Sequence, residues 1–249
     1  MDRLVYTALS GLKGQMAAQA AIANNIANAS TTGYRADRVA FEAMMLKGGG
    51  GLESRAPSGE EVRDADRSGG AIQDTGNPLD VAVTGTAWNA VQAPDGSEAY
   101  TRRGDLRIAA SGVLETGDGF PVMGSGGPIT MPPADKVIIG EDGTISIVPL
   151  GAEPGQAPQE IDKIRLASAE GSDTVKGLDN LLHVRGGGVL PDDAEARVKS
   201  GALEGSNVNL TQALVDMIEN QRSYEVQANL LKEAKNLDES SASLMRMPV

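Results

Sequence analysis

Both ends of the chain carry a narrow apolar row, and the middle carries short apolar runs broken by turns. From Ser206 to Met247, Leu210, Leu214, Met217, Tyr224, Ala228 and Leu231 recur in steps of four and three, with Gln221 filling the one gap. That is the spacing of a coiled-coil seam, narrower than the face of a globular helix. Past Leu231 the row slips by one position to Leu230, Ala234, Leu237, Ser241 and Leu244, and the other faces are charged. Neither glycine nor proline interrupts before Pro248, and Asn209 followed three residues later by Gln212 resembles a capping-box start. A helix over this stretch is roughly 60 Å long at ~1.5 Å per residue. Residues 3–27 repeat the pattern with Val5, Leu9, Leu12, Met16, Gln19, Ala23 and Ile26, widened slightly by Ile22. Gly11 and Gly14 each weaken an isolated helix by about 1 kcal/mol relative to alanine. Two narrow, marginal seams are satisfied most simply by pairing the chain ends, although an ordinary helical hairpin capping a globular core fits the same periodicity.

Between the ends the pattern changes period. Asn24 to Arg35 is rich in Asn, Ser and Thr and stops the first helix, with Gly33 suited to positive φ. Ala36–Leu46, with Val39, Phe41, Met44 and Met45 apolar, is read as a short helical continuation. Residues 47–75 begin with Gly48 to Gly51 and continue as a charged Ser/Gly/Pro run, the composition of a linker. From about Gly76 to Gly201, short apolar runs alternate with turn signals. Asp-Gly pairs at 95–96, 118–119 and 142–143 each separate two candidate strands. Of the 12 prolines, all but Pro57 and Pro248 lie between Pro78 and Pro191, and proline is expelled from helix interiors. The expected fold is α+β. N- and C-terminal helices form a coiled-coil-like pair, and the middle domain is β-rich, barrel- or sandwich-like. The expected domains are 1–46 helical, 47–75 linker or extended arm, 76–200 β-rich, and 201–249 helical.

Composition mostly excludes. A net charge of -12 over 249 residues leaves no electrostatic footprint for nucleic acid or anionic lipid. With no cysteine and one histidine, His183, disulfides, thiolate sites and His-cluster metal sites are ruled out. Aromatics are only 3%, so a central core must be aliphatic and thin. The N-terminal apolar window is broken by Lys13, Gln15, Gln19, Asn24 and Asn25, so it neither spans a membrane nor forms a compact secretory h-region. The residues around Gly124-Ser125-Gly126 lack the spacing of a nucleophile elbow, and His183 reads as a strand residue. Asp192, Asp193 and Glu195 read as a solvated turn. No catalytic, cofactor or metal site is expected.

The stretch ANNIANASTTGYRADRVAFE, from Ala23 to Glu42, resembles the N-terminal signature of bacterial flagellar rod and hook proteins. The stretch from Leu203 to Glu239, LEGSNVNLTQALVDMIENQRSYEVQANLLKEAKNLDE, resembles their C-terminal signature. The segment from Gly76 to Ile129 is similar to the middle domain of the same family, with Ala87-Trp88-Asn89 where the family usually has Gly-Phe-Phe. Within the family, the opening residues and the length imply a proximal-rod subunit over a distal-rod one. A periplasmic binding or hydrolase domain is the alternative from another class. The resemblance implies a structural subunit that assembles helically with itself and other rod proteins into a drive shaft crossing the periplasm. It also implies delivery by the flagellar type III export apparatus without a cleaved signal peptide, and ends that order on assembly. The implied interface residues are Asn24, Asn25, Asn28, Thr32, Gly33, Tyr34 and Phe41 at one end, and Asn207, Val208, Met217, Gln221, Arg222 and Tyr224 at the other. Arg222 is expected to meet an interface carboxylate.

Overall fold

The computed structural model describes residues 2–42, 45–46, 54–55, 59–153 and 156–245. Among them the chain forms two helices and many short strands, in two compact units. No helix among these residues is long and apolar enough to cross a membrane.

The first unit comprises Met1–Ala27, Asp37–Asp64 and Asn209–Val249. Helix α1 spans Asp2–Ala27 and helix α2 spans Leu210–Met245. Asn209 caps α2 as its sequence suggests, its side-chain oxygen accepting the Gln212 N–H at 3.1 Å. Strands β1 (Asp37–Glu42), β2 (Met45–Leu46), β3 (Ser54–Arg55) and β4 (Gly59–Ala65) complete the unit, with β1 paired to β4 and β2 to β3. The expected helical continuation over Ala36–Leu46 is therefore wrong. Val39 and Phe41 fall on alternate positions of a strand, and pairing with a distant strand overrides the local pattern. Gly48 to Gly51 and Pro248 lie outside the described residues.

The two helices do not bury the rows their hydrophobicity marks. On α1, Leu9, Met16, Gln19 and Ala23 are exposed, while Gly11, Gly14 and Ala18 are half-buried and Ala21 is buried. On α2, Leu210, Leu214, Gln221, Leu230 and Leu237 are exposed, whereas Ala213 and Asn220 are buried and Met217, Tyr224, Ala228 and Leu231 half-buried. Small residues let the backbones approach closely. Asn220 Nδ2 donates to the Gln15 carbonyl at 3.0 Å, and a Cβ on Gly11 would lie 2.9 Å from Gln227 Oε1. The buried row is thus shifted from the expected one toward the small residues.

The second unit comprises Asn28–Ala36 and Ala65–Val208. Its strands are β5 (Ile72–Asp74), β6 (Val81–Thr84), β7 (Ala87–Gln92), β8 (Glu98–Thr101), β9 (Leu106–Ile108), β10 (Leu114–Thr116) and β11 (Ala134–Ile139). Then follow β12 (Thr144–Pro149), β13 (Gln159–Lys163), β14 (Leu166–Ser168), β15 (Thr174–Lys176), β16 (Leu182–Val184), β17 (Arg197–Ser200) and β18 (Ala202–Glu204). The largest sheet is antiparallel in the order β14-β7-β8-β16-β15, beside a three-stranded β11-β12-β13 sheet and the pairs β9–β10, β6–β17 and β5–β18. These open sheets do not close into a barrel: strands of three residues are too short to carry a continuous ladder around one. All three Asp-Gly turns form, with φ of 83° at Gly96, 89° at Gly119 and 88° at Gly143. The main core is aliphatic, as the scarcity of aromatics requires, and is built around Val81, Leu114, Ile129, Ile145, Ile147 and Ile164. A second cluster gathers Trp88, Tyr100 and Leu182.

Candidate assembly site

The residues of the two terminal signatures take distinct places in each unit. In the first unit, Asn24 and Asn25 stand in the last turn of α1 and both bond to Asp37 at the start of β1. Asn25 Oδ1 accepts from the Asp37 N–H at 2.7 Å and its Nδ2 donates to the Asp37 carbonyl at 3.0 Å, so one amide imitates a strand pairing. Asn24 Nδ2 donates to Asp37 Oδ2 at 2.6 Å. These bonds satisfy backbone groups where the helix ends and the chain turns into β1. Phe41 lies in β1, and its side chain is outside the described residues. Met217 and Tyr224 are half-buried, Gln221 and Arg222 exposed, and Arg222 makes no ion pair among the described residues.

The same row of α2 continues outward. Leu210, Leu214, Ile218, Val226 and Leu230 are 46–59 % exposed and follow each other in steps of four, with Arg222 in the single polar position. At 100° per residue, this row winds about 200° around the helix from first to last.

In the second unit, Asn28 Oδ1 accepts from Thr31 Oγ1 at 3.1 Å within the turn that follows α1, and Thr32 is half-buried. Gly33 has φ 66°, and a Cβ there would run into the backbone of Arg102 and Arg103. Its N–H donates to the Glu204 carbonyl at 2.7 Å. Tyr34 is buried, and its carbonyl accepts from the Asn207 N–H at 3.3 Å. Asn207 then ties three segments together: its Oδ1 accepts from the Ala36 N–H at 2.7 Å, and its Nδ2 donates to the carbonyls of Asp66 and Ser68, each at 3.0 Å. Val208 N–H donates to Ser206 Oγ at 3.2 Å. The segments 34–36, 66–68 and 204–208 are thereby pinned side by side within this unit.

Beneath them lies a charged cluster that the sequence reading did not anticipate. Arg35 and Arg102, 3 % and 2 % exposed, both reach Glu204: Arg35 Nη2 donates to Oε1 at 2.6 Å and Arg102 Nη1 to Oε2 at 3.2 Å. Glu204 Oε1 also accepts from the Gly70 N–H at 2.8 Å. Arg102 donates further to the carbonyls of Val83, at 2.7 Å, and Gly85. Both guanidinium carbons stand over the Trp88 ring, 5.8 and 5.7 Å from its centroid. Lys176 donates to the Arg35 carbonyl at 2.7 Å, and its ammonium lies 3.8 Å from the Tyr34 ring centroid. Burial pulls the Arg102 guanidinium down to about 10; Glu204 opposes the shift and Arg35 adds to it. Arg35 and Glu204 do sit inside the two signature stretches, one residue from Tyr34 and three from Asn207. What the sequence could not show is that they meet across 169 positions.

Three family descriptions match the chain: flagella basal body rod protein over residues 5–35, the flagellar hook protein FlgE/F/G D1 domain over 82–147, and the flagellar basal body rod FlgEFG protein C-terminal region over 199–244. The flagellar basal-body rod protein FlgF of Salmonella typhimurium is 36% identical over 99% of this chain and 100% of its own length. The chain belongs to the flagellar basal-body rod protein family. Within that family, FlgF of Escherichia coli is 38% identical over 93% of both chains, and the rod protein FlgG of Bacillus subtilis is 32% identical over 99% of this chain and all of its own. The terminal matches cover the segments that carry Arg35 and Glu204 as well as the helices.

Proposed function

We propose that this chain is a structural subunit of the flagellar basal-body rod, of the proximal-rod FlgF type, and that it polymerises helically with copies of itself and with other rod proteins to transmit torque across the periplasm. The observation that carries this reading is the exposed row of α2. Five large apolar side chains that wind about 200° around a helix cannot all be covered by one straight partner, so at least two neighbours are needed. Heterologous contacts of that kind generate tubes and filaments instead of closed rings. The α1–α2 small-residue packing supports a coiled-coil-like pairing of the chain ends, with the apolar rows facing other subunits. On this reading the first unit, Met1–Ala27, Asp37–Asp64 and Asn209–Val249, forms the rod wall, and the second unit is the β domain. Met217, Gln221, Arg222 and Tyr224 contribute to intersubunit contacts. Asn24, Asn25, Asn28, Thr32, Gly33, Tyr34, Phe41, Asn207 and Val208 set the geometry of the ends. Delivery is by the flagellar type III export apparatus without a cleaved signal peptide.

The test is incorporation. Variants Leu214→Ser and Ile218→Ser, expressed in a strain lacking its own FlgF-type protein, are expected to be exported and absent from purified basal bodies. Normal incorporation of the double variant defeats the proposal. The full-length similarity to FlgG supports a second reading as a distal-rod subunit; rescue of motility in a strain lacking FlgG, and not in one lacking FlgF, would select it.

A further inference from the structure

The buried cluster around Glu204 is unbalanced in charge and in hydrogen bonds. Arg35 and Arg102 share that single carboxylate, and both of its oxygens are engaged. Arg35 Nε and Nη1 and Arg102 Nε are buried without a hydrogen-bond partner. Arginine does not shed its proton to relieve this, and a buried donor left without an acceptor is destabilising. Trp88 offers both cations its ring face, with the guanidinium carbons 5.8 and 5.7 Å from the ring centroid. A cavity of about 10 Å³ lies against them, lined by Gly33, Arg35, Trp88, Thr101, Arg102 and Lys176 among others. That volume suits one particle of about the size of a water molecule.

We propose that this cavity binds one small monovalent anion of the chloride type, held between the Arg35 and Arg102 guanidiniums. Water has the right size, yet it accepts only two hydrogen bonds and leaves the surplus charge in place. A monatomic anion accepts from any direction and cancels that charge. The lowered proton affinity of the Arg102 guanidinium reflects its burial first, with Glu204 opposing and the Arg35 charge adding to it. The proposal does not depend on the assembly reading, because the whole site lies within the second unit.

The experiment is thermal unfolding of the full-length chain at fixed ionic strength, with sodium chloride exchanged stepwise for sodium gluconate. Fixed ionic strength removes general screening from the comparison. Tm is expected to rise saturably with chloride, by about 3 °C at about five times the Kd. Arg35→Met removes one of the two guanidiniums that hold the anion and is expected to lose the chloride response. Crystals of the full chain grown in bromide are expected to show an anomalous peak between the two guanidiniums. Identical curves in chloride and gluconate overturn the proposal, whether the cavity then holds only water or shows a bromide peak from an adventitious ion only. If Arg35→Met does not fold, the Tm response and the bromide peak of the unmodified chain decide together.

Discussion

Helix α2 leaves Leu214 and Leu230 about half exposed, while the second unit buries two arginines almost completely. The two regions have solved opposite problems. In the second unit the aliphatic core is closed, and even its charges are enclosed between Glu204, backbone carbonyls and the Trp88 ring. In the first unit many large apolar side chains, Leu9, Met16, Leu214 and Leu230 among them, stay outside, and the helices pack closely at glycine, alanine and an asparagine bonded to a backbone carbonyl. A region that buries its own apolar groups is complete as it stands. One that packs through small residues and presents leucines is built to be covered by something else. The contrast predicts that substitutions in the second unit change stability, whereas substitutions on the outer row of α2 change association.

The largest stability effect is expected at Glu204. Glu204→Gln removes the carboxylate that two buried guanidiniums share, and breaking a buried pair in this way costs about 3–5 kcal/mol. Urea unfolding of the full chain measures it. A loss below about 1 kcal/mol, the range of an exposed pair, would show that the cluster is not closed to solvent and would erase the contrast drawn above. Gly33→Ala comes next. The left-handed backbone alone costs an alanine about 1–2 kcal/mol, and the added Cβ meets the Arg102 and Arg103 backbone, which cannot swing aside. Its loss should exceed that of Gly76→Ala, where φ is 75° and the added Cβ meets nothing. Equal losses at the two positions would mean that the close approach is unimportant.

Much of this was readable from the sequence, and the failures share one cause. Both helices, the Asn209 cap and the three Asp-Gly turns follow from rules that act within a few residues, and the structure has all of them. The β1 strand was misread because its conformation is set by a partner about twenty residues away, with the local pattern of Val39, Phe41 and Met45 compatible with either period. Each apolar row of α1 and α2 is covered only in part within the chain: Leu12, Ile26, Met217, Tyr224, Ala228 and Leu231 are half-buried, and Leu9, Met16, Leu210 and Leu214 are exposed. Spacing reports which face wants cover and is silent about what supplies it. Of the signature residues, Asn24, Asn25 and Asn207 are engaged in bonds within their own units, so a signature can be required by the chain's own turns as much as by its neighbours. The Arg35–Glu204 pairing needed the fold itself.

A smaller, pH-dependent effect separates local turn chemistry from the core. The Thr144 hydroxyl, at 2.7 Å, and then its backbone N–H, at 3.1 Å, hold the Asp142 carboxyl below its ordinary 3.8. A carboxyl depressed in the folded state stabilises the fold above its unfolded value and loses that contribution as pH falls through the folded one. The contribution is therefore present at neutral pH and is lost progressively as pH falls below 3.8 through the lower folded value. Thr144→Val removes the larger cause, so an NMR titration should find the Asp142 midpoint moved back toward 3.8. An unmoved midpoint would assign the depression to the Thr144 backbone N–H, which the variant keeps.

The smallest effect on stability, and the most telling, is expected on the outer row of α2. Leu230→Ser removes a side chain that is 59 % exposed, so little apolar area returns to water on unfolding, and the urea midpoint should stay within about 0.5 kcal/mol of the unmodified chain. The same replacement at Ile145, wholly enclosed in the second unit, should cost several kcal/mol because it opens a cavity and buries a hydroxyl. Assembly should reverse the order. A polar group at position 230 would have to be desolvated against each neighbour along the polymer, and the penalty recurs with every subunit added. Leu230→Ser should therefore remain a folded, exported chain that fails to enter the rod. If it enters normally while destabilising the free chain, the outer row is an internal packing face after all, and the leucines of α2 no longer argue for neighbours.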